Sequence, residues 1–266
     1  MHNIFVGTSG YSYDDWNINF YPAGLEKKEQ LKYYSTVFNT VEINFTYYTL
    51  PYPRIFKNMA EKVGKDFIFS VKAHSGVTHT RDSKIEDVKK FVFSLQPFVE
   101  ENKMGPILLQ FPWAFKFSEK NLDYLSWIRA NFGDLELCTE FRNNSWLREE
   151  TIEHLRELNM GFCNVDEPGL KGLLPPTSIY TGETGYIRFH GRNSLNWWKP
   201  EHSYQRYDYL YTREELIEWV PRIREVAANT KKTHIYFNNH YKAQAVRSAK
   251  ILQELIEGND ISTSQN

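Results

Sequence analysis

The stretch "GYIRFHGRNSLNWW" (residues 185–198) sets Arg188, His190 and Arg192 at every second position and then runs into Trp197 and Trp198. Side chains alternate between the two faces of a strand, so these three groups share one face while Ile187 and Phe189 take the other. The same division recurs along the chain. Glu42, Asn44 and Thr46 alternate with Val41, Ile43 and Phe45, and Ser70, Lys72 and His74 alternate with Phe69 and Val71. Gln110 stands opposite Leu109 and Phe111, Glu140 and Arg142 opposite Phe141, Asn164 and Asp166 opposite Val165, and Tyr236 and Asn238 opposite Ile235 and Phe237.

These residue types permit several chemistries. Lys72, Arg142, Arg188 and Arg192 could hold a phosphate or carboxylate, lysine as a point charge and arginine as a planar fork. Gln110, Asn238 and Trp198 complete the expected ligand-binding set. His190 is the expected general acid or base, with Glu140 or Asp166 as its partner and Glu42 beside them, because neighbouring charges can tune an imidazole into the working pH range. The same carboxylates with His190, His79 or His240 would also suit a divalent metal. No H-E-x-x-H, H-x-H or paired-cysteine motif supports that alternative, so no metal ligand is assigned and no cofactor is identified. A G-x-S-x-G elbow and a phosphate-binding P-loop are both missing. Ser9 and Ser12 lack a recognisable base and are read as hydrogen-bonding residues.

Eight strand patterns must position these groups: "NIFVGTSG", "TVEINFTYY", "FIFSVKAHS", "PILLQFP", "LELCTEFR", "FCNVDEP", "GYIRFHG" and "HIYFNNH". Helical patterns fill most of the gaps. Thr212 and Glu215 form a capping box that opens one of them, and Pro221 should kink that helix or mark its early part. Gly258 should stop the last helix. The sixth gap, "PGLKGLLPPTSIYTGET", has three prolines and no helical period, so an irregular loop is expected there.

Alternating strands and helices imply parallel pairing, and eight such units in 266 residues specify an α/β fold, a single (β/α)8 TIM-type barrel over residues 1–258 with a short flexible tail at 259–266. An open doubly wound sheet is the rival, but "GTSGYSYDDW" lacks the dinucleotide-binding glycine spacing. In a barrel the face that meets the helices is apolar, so the polar face points into the lumen. Many of its residues stand late in their strands, where barrel active sites are built. The insert at 193–211, rich in Trp and Tyr, leaves the seventh strand and should either cover the mouth as a lid or pack its rim.

The chain carries 32 basic and 33 acidic residues, so no global field draws it to nucleic acid or an anionic membrane. No span approaches the roughly 18–20 consecutive apolar residues of a membrane helix, and the N-terminus shows no secretory signal. Cys138 and Cys163 sit in apolar runs and read as buried thiols. Cytoplasmic residence is expected, and the oligomeric state is left open.

"GTSGYSYDDW", "VEINFTYYTLP", "VKAHSGVTH", "GPILLQFPWAF", "EFRNNSW", "DEP", "YIRFHGR" and "YFNNHYKAQA" occur in order over nearly the whole chain. Together they resemble the YecE-like family, domain of unknown function seventy-two, whose members are similar to TIM barrels and whose activity is not established. The resemblance implies the same fold and a site at the barrel mouth.

Mutual neutralisation is the plainer account of any one Glu–Arg pair. A concentration of charge at lumen positions that branched aliphatics would otherwise fill points instead to a ligand. The favoured reading is an enzyme acting on a small anionic, phosphorylated or carboxylated, sugar-like metabolite. A metal-assisted nuclease or DNA-repair-like protein, with nucleic acid as partner, ranks behind it, and a non-catalytic ligand-binding protein is the third reading.

Overall fold

The computed structural model describes residues 3–263, with the side chains of Ser203 and of 259–263 outside the description. Eight parallel strands make the ring: β1 (Ile4–Thr8), β2 (Thr40–Ile43), β3 (Ile68–Lys72), β4 (Met104–Gln110), β5 (Leu137–Glu140), β6 (Met160–Asp166), β7 (Thr184–Phe189) and β8 (Lys232–Phe237). β8 pairs with β1, so the sheet curls into a nearly closed (β/α)8 barrel.

Closure between β1 and β2 is made differently from the other joints. There the strands share a bridge between Ser9 and Glu42 and the bond from the Gly10 amide to the Glu42 carbonyl, 2.8 Å. Below it the Tyr34 hydroxyl accepts from the Thr8 amide at 3.0 Å and donates to the Thr40 carbonyl at 3.1 Å, so a side chain replaces the missing rungs. Gly7 is required at this approach, since a Cβ there would collide with the Thr40 carbonyl.

Helices cover the outside because the outward faces of the strands are apolar. Phe69 stacks on Phe98 of the helix Gln96–Glu100, with ring centroids 4.2 Å apart. Phe189 packs against Trp219 at 5.0 Å. Thr212 and Glu215 form the expected capping box, and the helix it opens is divided into Arg213–Ile217 and Val220–Ala228 with Pro221 in the first turn of the second. Residues 167–183 contain no helix, as their prolines imply.

Three boundaries depart from the sequence reading. β2 ends at Ile43 and Phe45–Tyr47 forms a 3-10 turn, so the alternation does not carry through Asn44 and Thr46. The Thr46 hydroxyl donates instead to the Lys72 carbonyl at 2.5 Å and ties the turn to β3. His74 caps the short helix Ser75–Thr78 by accepting from the Gly76 amide. Gly258 does not stop the final helix, which runs from Gln244 to Thr263, because a helical glycine costs only about 1 kcal/mol and has the permitted dihedrals. That helix takes in residues 259–263 of the expected tail, and 264–266 lie outside the described residues.

β6 inverts the expected polarity. Its register pairs Val165 with Arg188 and Asp166 with Phe189. Neighbours in a ladder share a face, so Val165 turns inward and Asp166 turns to the helix layer. Asn164 faces outward as well, accepting from the Ile179 amide at 2.8 Å and donating to the Ile179 carbonyl at 2.9 Å. The physical reason is polar partners on the outside of this strand: the backbone of the helix-free sixth connection for Asn164, and Arg192, Tyr211 and Trp219 of the seventh connection for Asp166.

Candidate active site at the barrel mouth

The lumen is filled from the bottom upward. Phe5 stacks on His234 at 4.9 Å, and above them the Tyr236 hydroxyl bonds Thr40 at 2.6 Å and Ser70 at 2.8 Å. Tyr186 donates to Glu42 at 2.8 Å. These aromatics form a solid plug, and the charged layer rests on it.

Arg188 is the hub of that layer. One terminal nitrogen donates to Glu140 at 2.6 Å and the other to Glu42 at 2.8 Å and Ser9 at 3.3 Å. Only its Nε has no protein partner. Arg142, two residues beyond β5, caps the layer by binding Glu140 through Nε and Glu167 through Nη1 at 3.3 Å. Burial alone would raise the Glu140 carboxyl, but the guanidiniums of Arg142 and Arg188 outweigh it and hold the group well below the usual carboxylate range.

His190 lies inside this arrangement and is wholly buried. Its Nε2 faces both Glu140 and Arg142 Nη2 at 3.1 Å, and its Nδ1 faces the Asn238 amide nitrogen at 3.2 Å. Burial and then Arg142 push its pKa down to about 3, so the ring is neutral. Glu42 and Glu140 are equally sealed. Three of the four residues read as catalytic therefore form a neutralised foundation under the site.

The fourth, Asp166, lies on the opposite face. It accepts from Arg192 at 2.7 Å, from the Tyr211 hydroxyl at 2.6 Å and from Trp219 Nε1 at 2.6 Å. Arg192, which also reaches Glu215 at 3.4 Å and Glu218 at 3.6 Å, goes with it. Both residues belong to the joint between barrel and helix layer, which corrects their expected place in the pocket. Beyond Gly191, at φ 87°, strand alternation no longer governs Arg192.

What opens to solvent is a cleft across the mouth. One lobe, of about 530 Å³, is lined by Tyr13, Asn44, Lys72, Asn238 and His240 among others. A second, of about 410 Å³, is lined by His79, Trp113, Trp197, Trp198 and Arg206 among others. Lys72, Gln110 and Arg142 line both. Lys72 Nζ donates to Gln110 Oε1 at 2.8 Å and lies 4.4 Å from the centre of the Tyr47 ring. No carboxylate pairs with it among the described residues. Burial and the Arg188 charge lower its pKa to about 7. Two further buried polar atoms of the first lobe, Asn44 Oδ1 and His240 Nδ1, have no protein partner.

The insert divides its work. Trp197 is buried, with Arg142 5.6 Å from its ring centre, and Trp198 is 48% exposed and meets Trp113 edge-on at 5.6 Å. Tyr207 lines both lobes. Tyr211 turns away to Asp166 and the Gly191 amide, while Tyr204 stacks on Tyr241 at 4.7 Å. One part of the segment thus borders the cleft and another anchors it to the barrel.

Glu167 was missed in the sequence. Its Oε1 accepts from the Leu174 amide at 3.1 Å and its Oε2 from Arg142, which ties the irregular sixth connection to the charged layer. Burial raises its pKa to about 7, with Arg142 opposing. The available signal was "DEP", where the inverted face of β6 hands the lumen to the second acidic residue. Among the described residues no three His, Cys, Asp or Glu side chains are grouped so that they could hold a metal ion. The carboxylates expected to do so are engaged by arginines.

The family model for "Protein of unknown function DUF72" matches residues 5–265. UPF0759 protein YunF of Bacillus subtilis is 31% identical over 270 residues, spanning 96% of this chain and 95% of its own. The crystal structure of a DUF72 family protein from Thermotoga maritima is similar at 43% identity with a TM-score of 0.89, covering 96% of this chain and 100% of that one. A DUF72 family protein from Enterococcus faecalis is similar at 25% identity and a TM-score of 0.85, covering 96% and 95%. Motif order, barrel and whole-length matches agree, and the chain belongs to the DUF72 family.

Proposed function

We propose that this protein is an enzyme acting on a small anionic, sugar-like metabolite bound in the mouth cleft, with Lys72 as the charge that receives it. The carrying observation is selective pairing. Arg142 and Arg188 are occupied by Glu140, Glu42 and Glu167, and Arg192 by Asp166, whereas Lys72 faces the cleft with an amide and an aromatic ring as neighbours. Asn44 and His240 supply polar atoms for hydroxyl groups, and Tyr47, Tyr207 and Trp197 supply apolar ring faces, the composition of a small-molecule site. An ammonium whose pKa is near neutrality can also exchange a proton with substrate, which is how lysines serve in general acid–base chemistry.

A non-catalytic binding protein is the second reading, favoured by the sealing of Glu42, Glu140 and His190 beneath Arg142. Calorimetric titration with sugar phosphates, followed by a turnover assay on those that bind, separates the two. Lys72→Met should weaken anion binding about 10–100-fold, the effect of losing a charge-assisted contact in a partly desolvated site. Unchanged affinity in a folded variant would remove Lys72 from the role.

A further inference from the structure

The position of Lys72 within the cleft restricts where the ligand carries its charge. A terminal phosphate or carboxylate fits at the closed end of a pocket, with the rest of the molecule leaving in one direction. Lys72 is at neither end. It stands with Gln110 and Arg142 at the waist where two lobes of about 530 and 410 Å³ meet, and each lobe alone lies in the size range of a small-molecule site. Each also has its own aromatic surface. Tyr13 stacks on His240 at 4.5 Å in the first, and Trp198 with Trp113 forms a half-exposed corner in the second.

Charge narrows the choice further. At the waist itself Arg142 is held by carboxylates, as is Arg188 beneath it, so among the described residues the waist offers one uncommitted cation, Lys72; Arg206, in the wall of the second lobe, donates to the Trp197 carbonyl. A phosphate monoester approaches two negative charges at neutral pH, while a phosphodiester keeps one and carries a substituent on each side. A carboxylate on the terminal carbon of a chain lets the molecule leave in one direction only, whereas the phosphorus of a diester is itself the joint between two substituents.

We infer that the cleft takes a phosphodiester whose phosphate sits at Lys72 and whose two ring-bearing substituents occupy the two lobes. The inference rests on the anion site proposed above and specifies its substrate class. Nucleoside and glycosyl substituents share this chemistry, because both present a flat or faceted ring to an aromatic surface.

Binding is measured by calorimetry with four probes: inorganic phosphate, a nucleoside 5′-monophosphate, a dinucleoside monophosphate, and a disaccharide joined through a phosphodiester. At least one diester should bind tenfold or more tightly than the monoester, and whichever does identifies the substituent. Trp198→Ala should remove most of that tenfold advantage. Lys72→Met should weaken every probe that binds. A monoester that binds as tightly as both diesters, with Lys72→Met weakening all of them, would overturn the two-sided site and leave the anion anchor standing. A diester preference untouched by Trp198→Ala would also overturn it. Binding insensitive to Lys72→Met, or no binding of any probe, would remove the anchor itself.

Discussion

Arg188 and Glu140 meet at 2.6 Å across the lumen, in a layer where the arginine is 2% exposed and the glutamate not at all. The contact is the centre of a buried network, and its energetics follow from what remains when one member leaves. Arg188→Met strands Glu42 and Glu140 without their shared cation, and breaking a buried pair in this way costs about 3–5 kcal/mol. Urea unfolding should show a drop of that size. An unchanged midpoint would show that the layer does not depend on its hub.

Anion binding should follow the protonation of Lys72. Burial and Arg188 lower its pKa to about 7, so the ammonium form that attracts an anion dominates below that pH and is lost above it. Affinity for a phosphate ester should therefore decline roughly tenfold per pH unit on the alkaline side. Lys72→Arg, which stays charged, should flatten the profile. A wild-type profile that stays level to pH 9 would count against Lys72 as the receiving group.

Asp166→Ala should separate stability from binding. The substitution leaves Arg192, the Tyr211 hydroxyl and Trp219 Nε1 without their common acceptor, which should cost about 3–5 kcal/mol. The folded fraction should still bind anion within about twofold of wild type, because Asp166 faces the helix layer. A selective loss of affinity with little loss of stability would return Asp166 to the pocket.

Acid should destabilise the fold partly through His234. Burial drives its pKa from 6.5 to about 3, so the unfolded chain takes up the proton first. The stability it contributes is present above about pH 6.5 and is lost as pH falls toward 3. His234→Phe, which preserves the stack on Phe5, should make the fall of the unfolding midpoint between pH 6.5 and 4 shallower. An identical slope in the variant would place the acid sensitivity elsewhere.

Much of this architecture was legible because strand parity and helix amphipathicity express the same burial. Ile187 and Phe189 had to meet helices, so Arg188 had to point inward, and Glu42, Lys72, Gln110 and Glu140 followed by the same logic. The rule failed at Asp166 because it assumes an apolar layer outside every strand, and here the seventh connection sets Arg192, the Tyr211 hydroxyl and Trp219 Nε1 against the strand. It also could not distinguish a charge aimed at a ligand from one aimed at another charge. Arg188 and Lys72 have the same parity and nearly the same depth in their strands, and only the three-dimensional pairing shows that the first is occupied while the second is open. Glu167 was hidden because only the inverted polarity of β6 turns the residue after Asp166 toward the lumen.

The joint between β1 and β2 makes the barrel a clasped band rather than an unbroken hoop. Its upper fastening is the Glu42 backbone, and the side chain of that residue is one of the two carboxylates that hold Arg188. Opening the clasp would slacken the charge layer from one side, so the shape of the mouth and the integrity of the ring rise and fall together. Deuterium exchange should reveal this as early labelling of the Gly10 amide, well before the paired amides of β6 and β7. Tyr34→Phe, which deprives the Thr8 amide of its acceptor, should bring that labelling forward.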